Sequence, residues 1–375
     1  MDDPPTPKHR LLTLLNSLKE ASKHLHTTTN PFSFHSRTDS RAAIDTLLHL
    51  EAKAHATLSS LDPTLSNLSS MLSSLRTLID KLHKHQGYSP RSLLHRHVTT
   101  YKISQLARAV ESQIQSYIDR LNIRDLVDTL QDQQQQQQQQ QQVKVLVEFR
   151  QRLSQGFDLE FQDLVLRAKV FTLLECMLFE NSSSERVKEE AAMTIAALVK
   201  FNKNVFVGLV LMGPTIKALI AMASGCSVRV LSSLIKFIRS PLVDEILCSG
   251  EIPKIVGFLR SSDLGLCVAA LDCVMELGYI GRREVVEAML KIGLVEILMD
   301  LQREGCSESE SDCDCDFAFG SCVSRFAIQV EVGEGLSGEE KREVKSEILR
   351  IVKEASQSEA EFATISAEIL WGSSP

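Results

Sequence analysis

The 375-residue chain carries 41 Lys and Arg against 48 Asp and Glu, a formal net charge of −7. Apolar residues make up 43% but aromatics only 5%, so an interior has to be assembled from Leu, Ile, Val and Ala, which suits stacked helices and disfavours a β-sandwich. The length exceeds what one hydrophobic core usually organises, and neither end has the clustered Lys and Arg of a nucleic-acid footprint.

Charge, histidine and cysteine are unevenly spread. Residues 1–130 hold 16 Lys and Arg against 12 Asp and Glu, whereas residues 305–375 hold 6 against 15. All ten His lie at or before His97 and all nine Cys at or after Cys176. An odd number of Cys, several inside apolar helical stretches (Cys176, Cys248, Cys267, Cys273), reads as reduced thiols packed as small hydrophobes. The N-terminus is acidic and Pro-rich, unlike a secretory signal. The most apolar stretch, residues 205–216, is cut by Gly208 and Gly213-Pro214 and is too short to cross ~30 Å of hydrocarbon. The expectation is a cytoplasmic or nuclear protein with no membrane span.

In chain order, Leu11, Leu14, Leu15, Leu18, Ser22 and Leu25 form one helical stripe. Ile44, Leu47, Leu48, Glu51, Ala54 and Leu58 form a second. Asp62-Pro63 starts a third, with Leu65, Leu68, Met71, Leu72, Leu75, Ile79 and Leu82, because Asp caps a helix and Pro suits its first position. Ser89-Pro90 starts a fourth, carrying Leu94, Val98, Tyr101, Leu106, Val110, Ile114, Tyr117, Ile118 and Leu121. These predict an antiparallel four-helix bundle over residues 8–130, with a surface available for self-association. Gln133 to Gln142 is a low-complexity run with nothing to bury, so residues 131–142 are expected to be a linker, either helical or disordered.

Residues 143–375 read as a repeat. Three segments align: Met212-Gly213-Pro214-Thr215-Ile216, Ser249-Gly250-Glu251-Ile252-Pro253 and Ile292-Gly293-Leu294-Val295, with glycines 37 and then 43 residues apart. A short helix precedes each glycine, a medium helix follows it, and a longer one comes next, at a period of ~40 residues. The phrases GEIPKIVGFLRSSD and EEAAMTIAALV resemble the armadillo repeat, and the array is similar to those of plant proteins related to U-box ubiquitin ligases, without a U-box segment. The resemblance covers roughly residues 160–335, with residues 158–180 as an incomplete first repeat. Ser337 with Glu340 and Ser358 with Glu361 read as capping boxes of two C-terminal helices with charged outer faces that close the stack. The fold class expected is therefore all-α: a helical bundle followed by a short armadillo-type α-solenoid.

The resemblance implies that third helices line a concave groove. The family's paired Trp and Asn places fall on Met193 and Ala197, Ile235 and Arg239, Asp272 and Glu276, and Phe326 and Val330. The Trp–Asn ladder is absent. A groove with an apolar end at Met193, a basic step at Arg239 and an acidic step at Asp272 and Glu276 is implied instead, lined further by Ala197, Ile235 and Phe326.

For chemistry the signals are bland. His83-Lys84-His85 and His95-Arg96-His97 place ligands two apart, which on a helix point in different directions. Cys306, Cys313, Cys315 and Cys322 lack the Cys-x2-Cys spacing of a zinc site and sit in or beside an acidic insertion, residues 305–317. In it Ser307, Ser309 and Ser311 each precede an acid by three residues, the context of an acid-directed kinase. Gly333-Glu334-Gly335 lacks the strand and third glycine of a dinucleotide loop. No catalytic motif is present, so no enzyme activity, cofactor or metal is expected. The reading is a scaffold holding a protein partner, with an accessory or substrate-recruiting role in ubiquitination, beside a separate ligase, as the alternative.

Overall fold

The computed structural model describes residues 7–28, 63–84, 90–131, 136–180, 183–307 and 319–371, and among these every regular element is helical. Two compact units emerge. The first comprises Met1–Asp125 with Leu159–Leu164, and the second Leu126–Asp158 with Val165–Pro375.

In the first unit three described helices, α1 (Pro7–Thr28), α2 (Pro63–Lys84) and α3 (Pro90–Gln131), each open on a proline, whose fixed φ and missing N–H suit a first turn. Leu15, Leu18 and Leu25 of α1, Leu68, Leu72, Leu75 and Ile79 of α2, and Ile103, Ala107, Val110 and Ile114 of α3 share one core, each 2% exposed or less. The stripe expected at Ile44 to Leu58 lies outside the described residues. On α3 the expected stripe begins wrongly: Leu94, Val98 and Tyr101 are exposed, and the core face runs through Thr99 and Ile103 instead. The unit boundary falls at Asp125, within α3. Gln136 to Gln142 open helix α4 (Gln136–Ser154), where Gln142 is buried and donates its amide N–H to the Thr129 carbonyl at 3.3 Å.

In the second unit the expected triplets appear. Helices α5 (Leu159–Arg167), divided between the units, and α6 (Val170–Phe179) precede the long α7 (Glu185–Phe201). Then come α8 (Lys203–Met212), α9 (Thr215–Met222) and α10 (Gly225–Ile238). The next set is α11 (Ser240–Cys248), α12 (Ile252–Gly257, with a 3-10 turn to Arg260) and α13 (Leu264–Ile280). The last is α14 (Arg283–Lys291), α15 (Leu294–Ser307) and α16 (Cys322–Val332), followed by α17 (Gly338–Ala355) and α18 (Glu359–Trp371). The long helices pack in sequence, α4 on α7, α7 on α10, α10 on α13, α13 on α16 and α16 on α18, so a row of six inner helices runs through an all-α solenoid of armadillo-type layout.

The three aligned glycines turn the same corner for two reasons. Gly250 (φ +71°) and Gly293 (φ +86°) occupy the left-handed region, which costs an L side chain about 1–2 kcal/mol. Gly213 is extended (φ −90°, ψ 176°), and there space decides: a Cβ would stand 2.6 Å from the Leu209 carbonyl oxygen and meet the Glu175 carboxylate. That carboxylate, half-buried, accepts from the Thr215 hydroxyl, so α6 grips the start of α9; desolvation pushes the Glu175 pKa up despite the hydrogen bonds to Thr215.

The Gly-x-Gly at 333–335 is a docking device. Glu334 N–H donates to the Tyr279 carbonyl at 2.8 Å, and a Cβ on Gly335 would lie 1.9 Å from the Gly281 carbonyl oxygen, so the loop after α16 presses its bare backbone onto the loop after α13. The Ser337–Glu340 capping box forms on α17. On α18 Glu361 N–H donates to Ser358 Oγ at 3.1 Å, while the Glu361 carboxylate reaches one residue further back, to Gln357 N–H at 2.7 Å. Arg303 of α15 ties this end together, donating to Asp300, to Glu361 and to the Ala355 carbonyl at 2.8, 2.7 and 2.9 Å. The outer face of α18 departs from the expected charged surface: Ala360, Ala363, Thr364, Ala367, Leu370 and Trp371 are the side chains exposed after Glu359.

Candidate partner-binding face

On α10 the core stripe is Leu231, Leu234, Ile235 and Ile238, which leaves Arg229, Ser233 and Lys236, spaced by four and three residues, on the open side. On α13 the open side carries Val268, Asp272, Glu276 and Tyr279, and on α16 it carries Arg325, Gln329 and Val332. Polar links bridge neighbouring members of the row. Arg150 of α4 pairs with Glu190 of α7 at 2.8 Å, the Ser224 hydroxyl at the start of α10 donates to Glu189 at 3.1 Å, and Lys236 of α10 pairs with Glu276 of α13 at 3.2 Å. Glu334, beyond α16, accepts from Arg239 at 2.5 Å and from the Tyr279 hydroxyl at 3.4 Å. Each exposed pair contributes about 0–1 kcal/mol, so their weight lies in fixing where charge sits more than in holding the fold.

The groove residues implied by the resemblance separate under this geometry. Met193 and Ala197 are partly exposed on α7, and Asp272 is exposed on α13. Ile235 and Phe326 are corrected: both are 0% exposed, because they sit on the i, i+3, i+4 apolar stripes of α10 and α16 and face the core. Arg239 and Glu276 are surface charges already engaged, by Glu334 and by Lys236. Arg239 does not continue α10. With φ +68° and ψ −140° it forms the corner into α11, a conformation that costs a non-glycine residue about 1–3 kcal/mol. Its N–H donates to the Ile235 carbonyl at 2.7 Å, and its own carbonyl accepts from Leu242 N–H at 3.0 Å. The sequence reading missed Arg229, Lys236 and Glu334; the first two were visible as the polar side of α10, whereas nothing local marks Glu334 as the partner of a residue 95 positions away.

The remaining chemical candidates separate as well. Cys267, Cys273 and Cys322 are buried, with Cys267 and Cys322 donating S–H to the Leu259 and Leu298 carbonyls at 3.2 and 3.0 Å. Desolvation pushes their thiols up, to about 11 for Cys267 and about 12 for Cys273 and Cys322. Cys176 and Cys248 are corrected: both are exposed. Thiol labelling of the folded protein near pH 8 is therefore expected to modify Cys176 and Cys248 within minutes and to leave the other three unmodified until denaturant is added, as read by peptide mapping. Equal labelling of all five would contradict the packing. His95 and His97 are exposed on α3, Ser307 ends α15, and Ser309 and Ser311 lie outside the described residues, as does most of the acidic insertion. Among the described residues no three His, Cys, Asp or Glu side chains are placed to hold a metal ion. No single described helix is long and apolar enough to cross a membrane; the apolar pair α8 and α9 is bent by 71° at Gly213-Pro214.

No family model matches the chain. No curated protein matches it either. Among solved structures it is similar to a designed armadillo repeat protein, YIII(Dq)4CqI, at 15% identity and TM-score 0.45, over 66% of this chain and 98% of that one. A related design, YIII(Dq.V1)4CPAF in complex with the peptide (KR)4, aligns at 16% identity and TM-score 0.45 over 66% and 98%. Kap121p aligns at 12% identity and TM-score 0.38 over 97% of this chain and 45% of its own. The fold assignment rests on the helix order and packing described above.

Proposed function

We propose that the chain is a protein-interaction scaffold without catalysis of its own, acting in the cytoplasm or nucleus, and that the open face of the inner helix row holds its protein partner. The observation that carries this reading is a surface whose charge changes sign from one helix to the next, Arg229 and Lys236 on α10 and Asp272 and Glu276 on α13, with Lys236 paired to Glu276 between them. Such a face suits an extended or helical segment of mixed charge, whose own charges meet fixed positions and whose side chains enter the gaps between helices. The role in ubiquitination rests on the sequence resemblance alone and is the secondary reading.

The test is selection of displayed peptides against the full chain, followed by binding to Asp272→Lys and Arg229→Glu variants. Both positions are exposed, so folding is expected to be unchanged. Selected peptides are expected to lose about tenfold in affinity, equivalent to ~1.4 kcal/mol, with at least one of the two. Peptides that bind the parent and both variants equally well would remove this face as the site.

A further inference from the structure

Helix α3 carries apolar residues on the wrong side. Its core face is Thr99, Ile103, Ala107, Val110 and Ile114, each 7% exposed or less. At about 100° per residue, Leu94, Val98 and Tyr101 stand diametrically opposite, and they are 70%, 46% and 63% exposed. A helix on the surface of a globular unit normally turns polar side chains outward, so three large apolar groups at i, i+4 and i+7 on the solvent crest call for a cover. Cations border the stripe on both sides, Arg91 and Lys102 along one flank and Arg108, beside His97, along the other, all exposed. Between residues 81 and 110 the chain holds six Lys and Arg and no Asp or Glu; Glu111 is the first carboxylate.

We propose that this crest docks on an anionic lipid bilayer. The stripe lies along the ridge of a helix, a convex line that a flat, deformable surface accepts without a preformed groove. Leu94 and Val98 would enter the boundary between headgroups and acyl chains, with Tyr101 at headgroup level, where its ring and hydroxyl are both accommodated. The flanking cations meet the negative charge of the lipid surface on either side of the apolar line, an attraction that acts within a Debye length. A second copy of the chain is a poorer cover, because a two-fold contact would bring Arg91, Lys102 and Arg108 against the same cations.

The experiment is flotation of the full chain with vesicles of phosphatidylcholine alone or with about 30% phosphatidylserine, at about 50 mM and about 300 mM NaCl. The bound fraction is expected to be at least about tenfold higher on the anionic vesicles at low salt and to fall sharply at high salt. Leu94→Glu with Tyr101→Glu is expected to abolish binding while leaving the thermal melt unchanged, since both positions are exposed; Arg91→Gln with Lys102→Gln is expected to weaken it about threefold. The proposal is overturned if the parent does not float with anionic vesicles at low salt, or if the double Glu variant floats equally well. It is also overturned if vesicles are ignored while either a Glu-flanked amphipathic peptide binds, or the chain dimerises in sedimentation velocity, in a manner the double Glu variant abolishes. Those results would assign the crest to a protein partner or a second copy.

Discussion

Replacing Gly335 by alanine is expected to loosen the C-terminal helices from the rest of the solenoid and to lower stability by about 3 kcal/mol, the upper end of the usual overpacking range. The added Cβ would sit 1.9 Å from the Gly281 carbonyl oxygen, 2.4 Å from its carbon and 2.6 Å from the Ile280 carbonyl oxygen. All three atoms are backbone, so no rotamer change relieves the contact, and the loop must lift. Lifting it puts at risk the Glu334 hydrogen bond to Tyr279 and the Lys341 ammonium bond to the Gly333 carbonyl at 2.7 Å. Chemical denaturation and hydrogen exchange of α17 and α18 measure the effect. Gly338→Ala is the control, because nothing lies within 4 Å of its added Cβ and alanine favours the first turn of α17. If the two variants are equally stable, the loop contact is not a tight one.

Phe326→Ala is expected to cost about 3–5 kcal/mol, as for other fully buried aromatic deletions. Gly278 of α13 makes room for that ring: a Cβ there would lie 2.8 Å from Phe326 Cε2 and 3.4 Å from Val330 Cγ2. Gly278→Ala alone is therefore expected to cost about 1–3 kcal/mol by overpacking. In the Phe326→Ala background the same methyl enters the vacated space, and its cost should vanish or reverse. A coupling of at least about 1 kcal/mol in a double-mutant cycle is the predicted result, read by equilibrium unfolding. Additive effects would mean that the α13–α16 contact is looser than the geometry gives.

Much of the second unit was legible because its sequence repeats. The glycine corners and the apolar spacing of EEAAMTIAALV place the helices to within a few residues, since each layer has to bury the same kind of face. What the sequence hid was register. The stripe read along α3 runs from Leu94 through Tyr101 and then jumps five residues to Leu106, and that break in helical spacing marks where it crosses from the solvent side to the core face. Alignment to a motif puts Ile235 and Phe326 in a groove, whereas their apolar neighbours at i±3 and i±4 put them inside. Contacts over long sequence distances, such as Arg239 with Glu334, Arg303 with Glu361, and Gly335 against Gly281, have no local signature. Gly333-Glu334-Gly335 shows the same limit: the pattern announces a close backbone approach but not whether a ligand or another loop makes it.

The bare outer side of α18 has a kinetic consequence. In a stack where each layer is held by its neighbours, stability grows from one contact to the next, and a layer whose outer side is bare opens first. Thr194 of α7, flanked on both sides, is 0% exposed, whereas Thr364 of α18 faces solvent in a similar run of sequence, Ala-Thr-Ile-Ser-Ala against Met-Thr-Ile-Ala-Ala. Unfolding of this unit should therefore begin as a fray at α18 and travel inward, with Arg303 as the first brake it meets.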